Sequence, residues 1–426
     1  MTAATEPSMR SWVPGAEDGG FPLTSLPYGV GAPKGASPGV VVAIGDYALD
    51  LAGCAEAGLL GPDAPAAGVW RFDSLNGFLG AGPDIHRAVR RRLQDLLRLG
   101  AAERAQVERH LHLRRSLAMG CPVAPPDFAD FYASFHHAVR AMSAGRGEPV
   151  TDVDSNWKAM PVGYHSRSGT ILGTDAPITR PSGQYRINSD VVVRPSQALD
   201  FELEVGLVLG RGSQPGQRIP TQAFPQHAFG LALLNDWSAR DLQRWESFPL
   251  GPFSAKSFAS QLGPWVVPIE AFLPFGHRNE TQGQAGAEYL RHQEAWTFDV
   301  ELEAHLQSAE MRRRDLPPLR ITLTNLRHMY WDPAQLLAHL TVNGASTRPG
   351  DLLGSGTVSG PELYSAACLL ELTNAGNAVI QLPDGTSRGW LQDGDEVTLS
   401  GAVRQGGAAL VSLGELRGRV AAAVPF

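Results

Sequence analysis

The segment around which the chain is organised reads Asn235-Asp-Trp-Ser-Ala-Arg-Asp-Leu-Gln-Arg-Trp-Glu-Ser-Phe-Pro-Leu-Gly-Pro-Phe-Ser-Ala-Lys-Ser-Phe258. It follows an apolar run over residues 229–234, which predicts a buried strand. Asp236 would then stand at the end of that strand, where a cation or a substrate can reach its carboxylate.

The rest of the segment adds three further functional groups. Residues 239–246 indicate a short helix, on which Arg240 and Gln243 are three positions apart and share one face. A Gly-Pro turn follows, and then Lys256. A carboxylate, a guanidinium, an amide and an ammonium group can together hold a metal ion and stabilise an oxyanion. A charge-paired surface helix after a core strand is the alternative interpretation.

Composition limits the class of protein. The 426 residues are 43% hydrophobic and 19% charged, which suits a folded protein of two or three domains. The formal net charge of −7 argues against a nucleic-acid partner, which requires a basic surface. The 47 glycines and 32 prolines favour many short strands joined by turns.

Cysteine use and apolar runs indicate the compartment. Cys54, Cys121 and Cys368 are odd in number and far apart, so neither a disulfide framework nor a zinc knuckle is expected. Residues 1–20 have no apolar core of a secretion signal, and no run of about 18 apolar residues indicates a membrane span. We therefore expect a soluble cytoplasmic protein with neither a membrane nor a nucleic-acid partner.

The N-terminal part of the chain contains recognisable local patterns. Residues 40–51 predict a β-hairpin around Gly45-Asp46. Residues 84–99 and 102–113 predict helices from their apolar spacing. Much further along, the polar residues 275–296 are interpreted as a surface insertion.

A cluster of prolines predicts the domain boundary. Pro122, Pro125 and Pro126 interrupt regular structure sharply. We place the boundary just before them, which gives domains over residues 1–118 and 119–426.

The stretch after these prolines holds a candidate general base. Asp130 and Tyr132 are two residues apart, so they would share a face of a strand. His137 could accept a proton near neutral pH, although a hydrogen-bonded structural histidine is the alternative. His136, beside it, leaves the choice between the two open.

Two further carboxylate patterns stand out. Asp200, Glu202 and Glu204 alternate with apolar residues, which places them on one face of a strand. That face could simply be exposed to water, or the carboxylates could be kept together by a divalent cation. Glu371 lies within an apolar run and needs a partner, because burying an unpaired carboxylate is costly.

The motifs Asn-Asp-Trp-Ser-Ala-Arg-Asp, Glu-x-Glu, Asp-Phe-Tyr and Ser-Gly-Thr together resemble the fumarylacetoacetase family, and the likeness runs from Phe21 to the last strands. The resemblance implies a mainly β fold with some α: a small N-terminal SH3-like barrel and a C-terminal mixed β-roll domain that forms a homodimer.

The resemblance also implies an activity. It is hydrolysis of a carbon–carbon bond in the β-diketone fumarylacetoacetate, giving fumarate and acetoacetate in the last step of tyrosine and phenylalanine breakdown. Hydrolysis or decarboxylation of another small β-diketone or β-keto acid, such as an acylpyruvate or oxaloacetate, is a second interpretation. A metal-stabilised scaffold that binds small acids without catalysis is a third.

Metal sites follow from the resemblance residue by residue. The ligands of a catalytic calcium ion match four carboxylates, Asp130, Glu202, Glu204 and Asp236. An all-oxygen donor set suits a hard cation. A structural magnesium ion matches Asp236, Lys256 and Ser260, where the lysine could serve only through its backbone carbonyl.

Catalytic and substrate-binding roles carry over in the same way. His137 matches the general base, and Glu371 matches the carboxylate that orients it. Arg240, Gln243 and Lys256 match the groups that hold the oxyanion and the carbanionic leaving group. The residues matching substrate contacts are Tyr132, Arg146, Tyr164, Gln243, Ser247 and Thr357.

Three positions depart from the family pattern. Ser247 stands where the family has a substrate-binding tyrosine, so the pocket lacks an aromatic wall and a phenolic hydroxyl there. Ser260 replaces a threonine and keeps the hydroxyl, and Ala259 replaces a glycine that contributes only backbone. Ser247 is therefore the departure that bears on the substrate.

Overall fold

The structure is a computed structural model that describes residues 10–17, 20–278 and 286–425. Its N-terminal part is a five-stranded antiparallel sheet in the order β4-β3-β2-β1-β5, covered by short helices. The strands are β1 (Tyr28–Pro33), β2 (Gly39–Ile44), β3 (Tyr47–Asp50), β4 (Leu111–Leu113) and β5 (Leu117–Met119). The helices are α1 (Leu51–Glu56), α2 (Ala67–Trp70), α3 (Asn76–Leu79), α4 (Pro83–Leu97) and α5 (Arg104–Val107).

Two local predictions in this part are confirmed and one is only partly correct. The hairpin over residues 40–51 is β2 and β3, and the helix over residues 84–99 is α4. The predicted helix over residues 102–113 is instead α5, one 3-10 turn and β4. The last residues of this range form a strand despite their helical spacing, because β4 pairs with β3 and satisfies the backbone hydrogen bonds of that edge.

The C-terminal part contains the remaining 21 strands and eight helices of the described residues. The strands are β6 (Phe128–Phe131), β7 (Gly163–His165), β8 (Ile171–Leu172), β9 (Pro177–Thr179), β10 (Ser182–Ile187), β11 (Asp190–Pro195), β12 (Leu199–Asp200), β13 (Leu203–Leu209), β14 (Ala228–Asp236), β15 (Ser238–Ala239), β16 (Ser260–Leu262), β17 (Val267–Pro268), β18 (Gly276–His277), β19 (Thr297–Phe298), β20 (Glu301–Gln307), β21 (Leu319–Asn325), β22 (Leu352–Gly354), β23 (Ile380–Gln381), β24 (Ser387–Arg388), β25 (Glu396–Gln405) and β26 (Ala408–Ala421). The helices are α6 (Phe135–Arg146), α7 (Ser155–Ala159), α8 (Phe224–His227), α9 (Arg240–Glu246), α10 (Ser254–Ser257), α11 (Ala309–Arg313), α12 (Pro333–Thr341) and α13 (Leu369–Leu372).

Two large sheets organise this part. The central one runs β7-β6-β22-β13-β14-β16-β8, with β17 also paired to β14. The second runs β21-β20-β25-β26-β9. The mainly β architecture, with an N-terminal barrel-like domain before a C-terminal mixed domain, confirms the predicted fold class.

Strand β14 lies at the centre of the packing. Its apolar side chains alternate between two clusters, as the period of a strand requires: Leu231 and Leu233 pack into the C-terminal core. Ala232 and Leu234 pack into a core that they share with the N-terminal sheet and helices. The predicted buried strand over residues 229–234 is thus confirmed, with all nine residues of β14 buried.

The chain passes between the two parts just after β5. Met119 ends the last strand of the N-terminal sheet, and Phe128 begins the central sheet. Because the two parts share an apolar core, the division of the chain at residues 118 and 119 stays a prediction.

The predicted insertion over residues 275–296 is only partly described, since residues 279–285 lie outside the described ranges. Its described part is not wholly superficial, because β18 pairs with β19 and Leu290 is buried in the C-terminal core. Within the described residues, no helix combines the length and the apolar character that a bilayer crossing requires.

Candidate active site

Four carboxylates meet at one edge of the central sheet. Asp130 lies on β6, Glu202 immediately before β13, Glu204 within β13, and Asp236 at the end of β14. These strands are neighbours through β22, so their ends bring the acids together. All four residues are at most 5% exposed.

The sheet makes room for the acids with a glycine. A Cβ atom on Gly354 would stand 2.3 Å from Asp130 Oδ1 and 3.1 Å from Glu204 Oε2. Asp200, Glu202 and Glu204 are all buried, so the interpretation of their face as water-exposed is wrong. These acids are therefore buried within the protein rather than arranged on a solvated strand face.

Two cations and a phenol hold part of this acidic cluster. The Lys256 ammonium group contacts Glu202 and lies 2.7 Å from Asp236 Oδ2. Arg240 Nη2 lies 2.8 Å from Glu202 Oε1. The Tyr164 hydroxyl lies 3.1 Å from Asp130 Oδ2 and 2.9 Å from Asp236 Oδ2.

Ser260 completes the partners of Asp236. Its hydroxyl donates to Asp236 Oδ1 over 2.7 Å. Lys256 reaches the cluster with its ammonium group rather than being turned away from it. The three residues predicted to hold magnesium are thus brought together.

The charge is balanced unevenly among the carboxylates. Burial alone would raise the pKa of Glu202, but Lys256 and Arg240 hold it well below its ordinary value. Burial raises the pKa of both Asp130 and Glu204, and nearby carboxylates raise both further. The protein therefore stabilises the carboxylate anion of Glu202, but it gives Asp130 and Glu204 too little positive charge to do the same for them.

Two individual oxygen atoms of the cluster lack a hydrogen-bond donor within the described part of the chain. Among the described residues, neither Asp130 Oδ1 nor Glu204 Oε1 accepts a hydrogen bond, although both are buried. Leaving buried oxygens without a donor is costly. A divalent cation such as calcium or magnesium prefers oxygen ligands, so it could bind these two atoms. The residues present therefore fit a bound calcium or magnesium ion.

A histidine and a glutamate form a second unit beside the cluster. His137 Nδ1 lies 2.6 Å from Glu371 Oε1, and both residues are buried. His137 is in the first turn of α6, where the N-cap hydroxyl of Ser134 accepts from its backbone N–H over 3.2 Å. The buried carboxylate that needed a partner has found one 234 residues away in sequence.

Glu371 is fully hydrogen-bonded. Burial would raise its pKa, but the charge and hydrogen bond of His137, with help from Ser359 and Arg140, bring its pKa below the ordinary value. Ser359 Oγ donates to Oε1 over 2.6 Å, and Arg140 Nη1 donates to Oε2 over 3.1 Å. Cys368 Sγ lies 3.3 Å from Oε1. The carboxylate is thus held as an anion facing the imidazole.

The positioning roles of two residues were not predicted from sequence. Arg140 follows His137 by one helical turn and bonds the same carboxylate, a spacing that could have indicated it. Asp200 accepts from Arg240 Nε over 2.8 Å and from the backbone N–H of Leu369 over 2.7 Å. It ties α9 to the helix that carries Glu371, and its alternation with Glu202 was the available signal.

A cavity of about 630 Å³ opens onto both units. Its lining includes these predicted site residues: Asp130, Tyr132, His137, Tyr164, Glu202, Glu204, Arg240, Gln243, Ser247, Lys256 and Thr357. Arg240 Nη1 donates to Gln243 Oε1 over 3.1 Å, so the pair predicted to share a helix face does so. The hydroxyl of Thr357 is buried and, among the described residues, has no partner, which leaves it free to bond a ligand.

Four predicted residues lie outside this lining. Asp236, Ser260 and Glu371 are buried behind it and support residues that face the cavity. Arg146 ends α6 with an exposed side chain 3.8 Å from Asp154, so its contact with substrate stays a prediction. A larger cleft of about 1270 Å³, between the N-terminal sheet and the second C-terminal sheet, contains none of the predicted site residues.

Comparison with known proteins gives consistent matches along the chain. Residues 24–122 match the family model described as fumarylacetoacetase N-terminal, and residues 128–421 match the one described as fumarylacetoacetate (FAA) hydrolase C-terminal. The chain is 39% identical to the fumarylacetoacetase of Bos taurus over 98% of this chain and 100% of the relative. It is 38% identical to the fumarylacetoacetase of Homo sapiens over 96% of this chain and 98% of the relative.

Solved structures agree with the fold. The fumarylacetoacetate hydrolase from Exiguobacterium antarcticum superimposes with a TM-score of 0.52 at 16% identity, covering 93% of this chain and 99% of that one. A likeness at this identity bears on the fold alone.

Proposed function

The chain is a hydrolase that belongs to the fumarylacetoacetate hydrolase family, and we propose that it hydrolyses 4-fumarylacetoacetate to fumarate and acetoacetate. The observation that carries the proposal is a buried histidine–carboxylate pair that opens onto the same cavity as a set of cations and acids. In cells this reaction would be the last step of tyrosine and phenylalanine breakdown. These relatives are fumarylacetoacetases that match the chain over almost its full length, which supports this substrate.

The dyad supplies the base. Since Glu371 accepts from Nδ1, the imidazole of His137 carries its hydrogen there and leaves Nε2 able to take a proton from water. The imidazolium that forms is stabilised by the anionic carboxylate beside it. The resulting hydroxide equivalent attacks the ketone carbonyl of the diketone.

Three side chains are placed to receive the charge that develops. Arg240, Gln243 and Lys256 line the cavity that His137 also lines. Burial would lower the pKa of Lys256, but Asp236 and Glu202 raise it, so its ammonium group stays protonated. Fixed donors aimed at a developing oxyanion need no reorganisation during the reaction. After the carbon–carbon bond breaks, the same groups stabilise the enolate of acetoacetate until it is protonated.

The acidic cluster is proposed to hold the metal. Asp130, Glu202, Glu204 and Asp236 would hold calcium, while Asp236, Ser260 and the backbone carbonyl of Lys256 would hold magnesium. Bound there, a divalent cation would polarise the diketone as a Lewis acid. The two partnerless oxygens of Asp130 and Glu204 support this assignment.

We also propose a cytoplasmic homodimer. The segment after α9 bears three apolar side chains that are almost fully exposed: Phe248 at 90%, Leu250 at 97% and Phe253 at 79%. Apolar side chains clustered in this way mark contact surfaces, and burial against a second copy would cover them.

The test is turnover of fumarylacetoacetate by the purified protein with calcium present, followed by the loss of its ultraviolet absorbance. Acetylpyruvate and oxaloacetate are assayed in parallel. We expect kcat/KM to be highest for fumarylacetoacetate. Preference for either of the other substrates would assign the site to another β-keto acid instead.

A further inference from the structure

One group of side chains near the dyad has the composition of a different kind of metal site. His137, Cys368 and Glu371 each offer one ligand atom, and these three atoms lie within 4.8 Å of one another. All three residues are buried. An imidazole, a thiol and a carboxylate form a donor set unlike the all-oxygen cluster beside it.

We propose that His137, Cys368 and Glu371 form an inhibitory site for a thiophilic divalent cation such as zinc. Zinc binds cysteine sulfur at about 2.3 Å, and histidine nitrogen and carboxylate oxygen at about 2.0–2.2 Å. Thiolate and imidazole ligands favour zinc, whereas calcium favours carboxylates, so the two neighbouring sites would select different metals.

The local geometry needs only a small adjustment. Cys368 Sγ already lies 3.3 Å from Glu371 Oε1, close to the spacing of two ligands on one tetrahedral zinc ion. The Nδ1–Oε1 distance of 2.6 Å must open as the ion takes the place of the shared hydrogen. His137 lines the active-site cavity, whereas Cys368 and Glu371 are buried behind that lining, so the ion would enter past the imidazole ring.

The bound state is electrically balanced. Burial and the neighbouring carboxylates raise the pKa of the Cys368 thiol, so the ion itself must displace the thiol proton. The thiolate and the Glu371 carboxylate then neutralise the two charges of the ion. The histidine stays neutral, with its hydrogen moved from Nδ1 to Nε2. One proton is released for each zinc bound, as is usual when a thiol becomes a ligand.

The same rearrangement explains inhibition. With Nδ1 on the metal, Nε2 of the neutral ring carries the hydrogen and can no longer accept a proton from water. Glu371 is withdrawn from its orienting role at the same time. This inhibitory consequence rests on the proposed hydrolysis, but the binding itself does not.

Cobalt(II) serves as the spectroscopic probe of binding. It is added to the whole protein with calcium in excess, so that the carboxylate cluster is already occupied. We expect one near-ultraviolet charge-transfer band of a cobalt–thiolate bond, absent from Cys368→Ser and retained in Cys54→Ser and Cys121→Ser. No such band in the wild type, or a band that persists in Cys368→Ser, overturns the proposal whether or not the protein turns over fumarylacetoacetate.

Zinc inhibition supplies the second measurement. Serine keeps a donor to Glu371 but is a poor zinc ligand, so Cys368→Ser should require at least about 10-fold more zinc for half-inhibition. The two other cysteine variants should match the wild type. Should Cys368→Ser not fold, Cys368→Ala replaces it, and the wild-type cobalt spectrum decides alone if neither folds. Equal zinc sensitivity in a folded Cys368 variant and the wild type would place the inhibition elsewhere and contradict the proposal.

Discussion

Glu371 and Glu204 are both buried carboxylates of the candidate active site, yet the protein treats them differently. Glu371 receives donors on both oxygens, from His137 and Ser359 on one and from Arg140 on the other. Glu204 receives one backbone N–H, from Gly356 at 3.1 Å, and its second oxygen has no donor among the described residues.

The pKa directions follow the same division. The pKa of Glu371 lies below its ordinary value despite burial, because His137 supplies charge and a hydrogen bond. The pKa of Glu204 is raised by burial and then by Asp130. The carboxylate of the dyad is thus fully hydrogen-bonded by the protein, while the acidic cluster keeps two buried oxygens without a donor among the described residues.

The largest expected effect concerns the dyad of His137 and Glu371. His137→Ala removes the base, and we expect kcat to fall by about 10²–10⁴-fold with little change in melting temperature. Glu371→Gln should lower kcat less, because the base survives without its anionic orienter. His136→Ala is the matched control, and a loss of activity greater in His136→Ala than in His137→Ala would exchange the two assignments.

The next effect concerns the acidic cluster and its proposed metal ion. Chelation should abolish activity and lower the melting temperature of the wild type, and added calcium should restore both, because the carboxylates otherwise repel one another. Elemental analysis of the chelated sample establishes that it is metal-free. Full activity in that sample would contradict the assignment of a metal to the cluster.

The variant Glu204→Gln tests the acidic cluster without its full negative charge. Glu204→Gln removes one negative charge, so the metal-free variant should be more stable than the metal-free wild type, by about 1–3 kcal/mol. Calcium should then stabilise the variant less than it stabilises the wild type. Glu362→Gln, at an exposed carboxylate, is the control. It should change the melting temperature of neither the metal-free nor the calcium-loaded protein. A destabilised metal-free Glu204→Gln would mean that the anion is already satisfied.

The third prediction asks whether Arg140 completes the dyad. It holds Glu371 and the carbonyl of Gly360 but does not line the cavity, so its loss should act on kcat rather than on KM. A charge-assisted hydrogen bond contributes about 1.5–3 kcal/mol, which predicts a fall in kcat of about 13- to 160-fold for Arg140→Gln. Arg140→Lys keeps the charge and should recover part of that loss.

Arg146→Gln is the matched variant on the same helix. The resemblance predicts that Arg146 contacts the substrate, so this change should raise KM and leave kcat nearly unchanged. An unaltered kcat in Arg140→Gln would show that the dyad is complete without Arg140.

The contrast between local and distant contacts explains what the sequence could predict. Asp236, Arg240 and Gln243 lie within one short segment, where strand and helix periodicity places them correctly. The roles of His137 and Glu371 came from family motifs, since no local pattern links residues 234 positions apart. Arg140 and Asp200 were missed because neither belongs to those motifs and their importance depends on which distant helix they meet.

The predicted helix over residues 102–113 ends early because of another contact that is distant in sequence. Its apolar spacing suits a helix, but β4 forms there because β3 offers it a free edge. Burial was also hard to judge, since the alternation of Asp200, Glu202 and Glu204 is the same for a solvated face and a buried one. Only the strands and helices packed over that face decide between them.

The smallest expected effect concerns Ser247, where the chain departs from the family pattern at the cavity. Ser247 is the C-cap of α9 and donates its hydroxyl to the backbone carbonyl of Gln243, so it offers the substrate little. Arg244 lines the same cavity and could fill the space of a tyrosine. The other cavity residues of the predicted substrate site, among them Tyr132, Tyr164 and Thr357, are kept.

We therefore expect Ser247→Tyr to lower or preserve the Michaelis constant for fumarylacetoacetate. One hydrogen bond restored to the substrate contributes about 0.5–1.5 kcal/mol, which corresponds to roughly 2- to 13-fold in apparent affinity. Ser247→Phe is the matched control, because it restores the aromatic wall without the hydroxyl and isolates the hydrogen bond. If Ser247→Tyr loses turnover outright, or if the wild type prefers a bulkier diketone, the space beside Ser247 serves the substrate itself and Arg244 does not fill it.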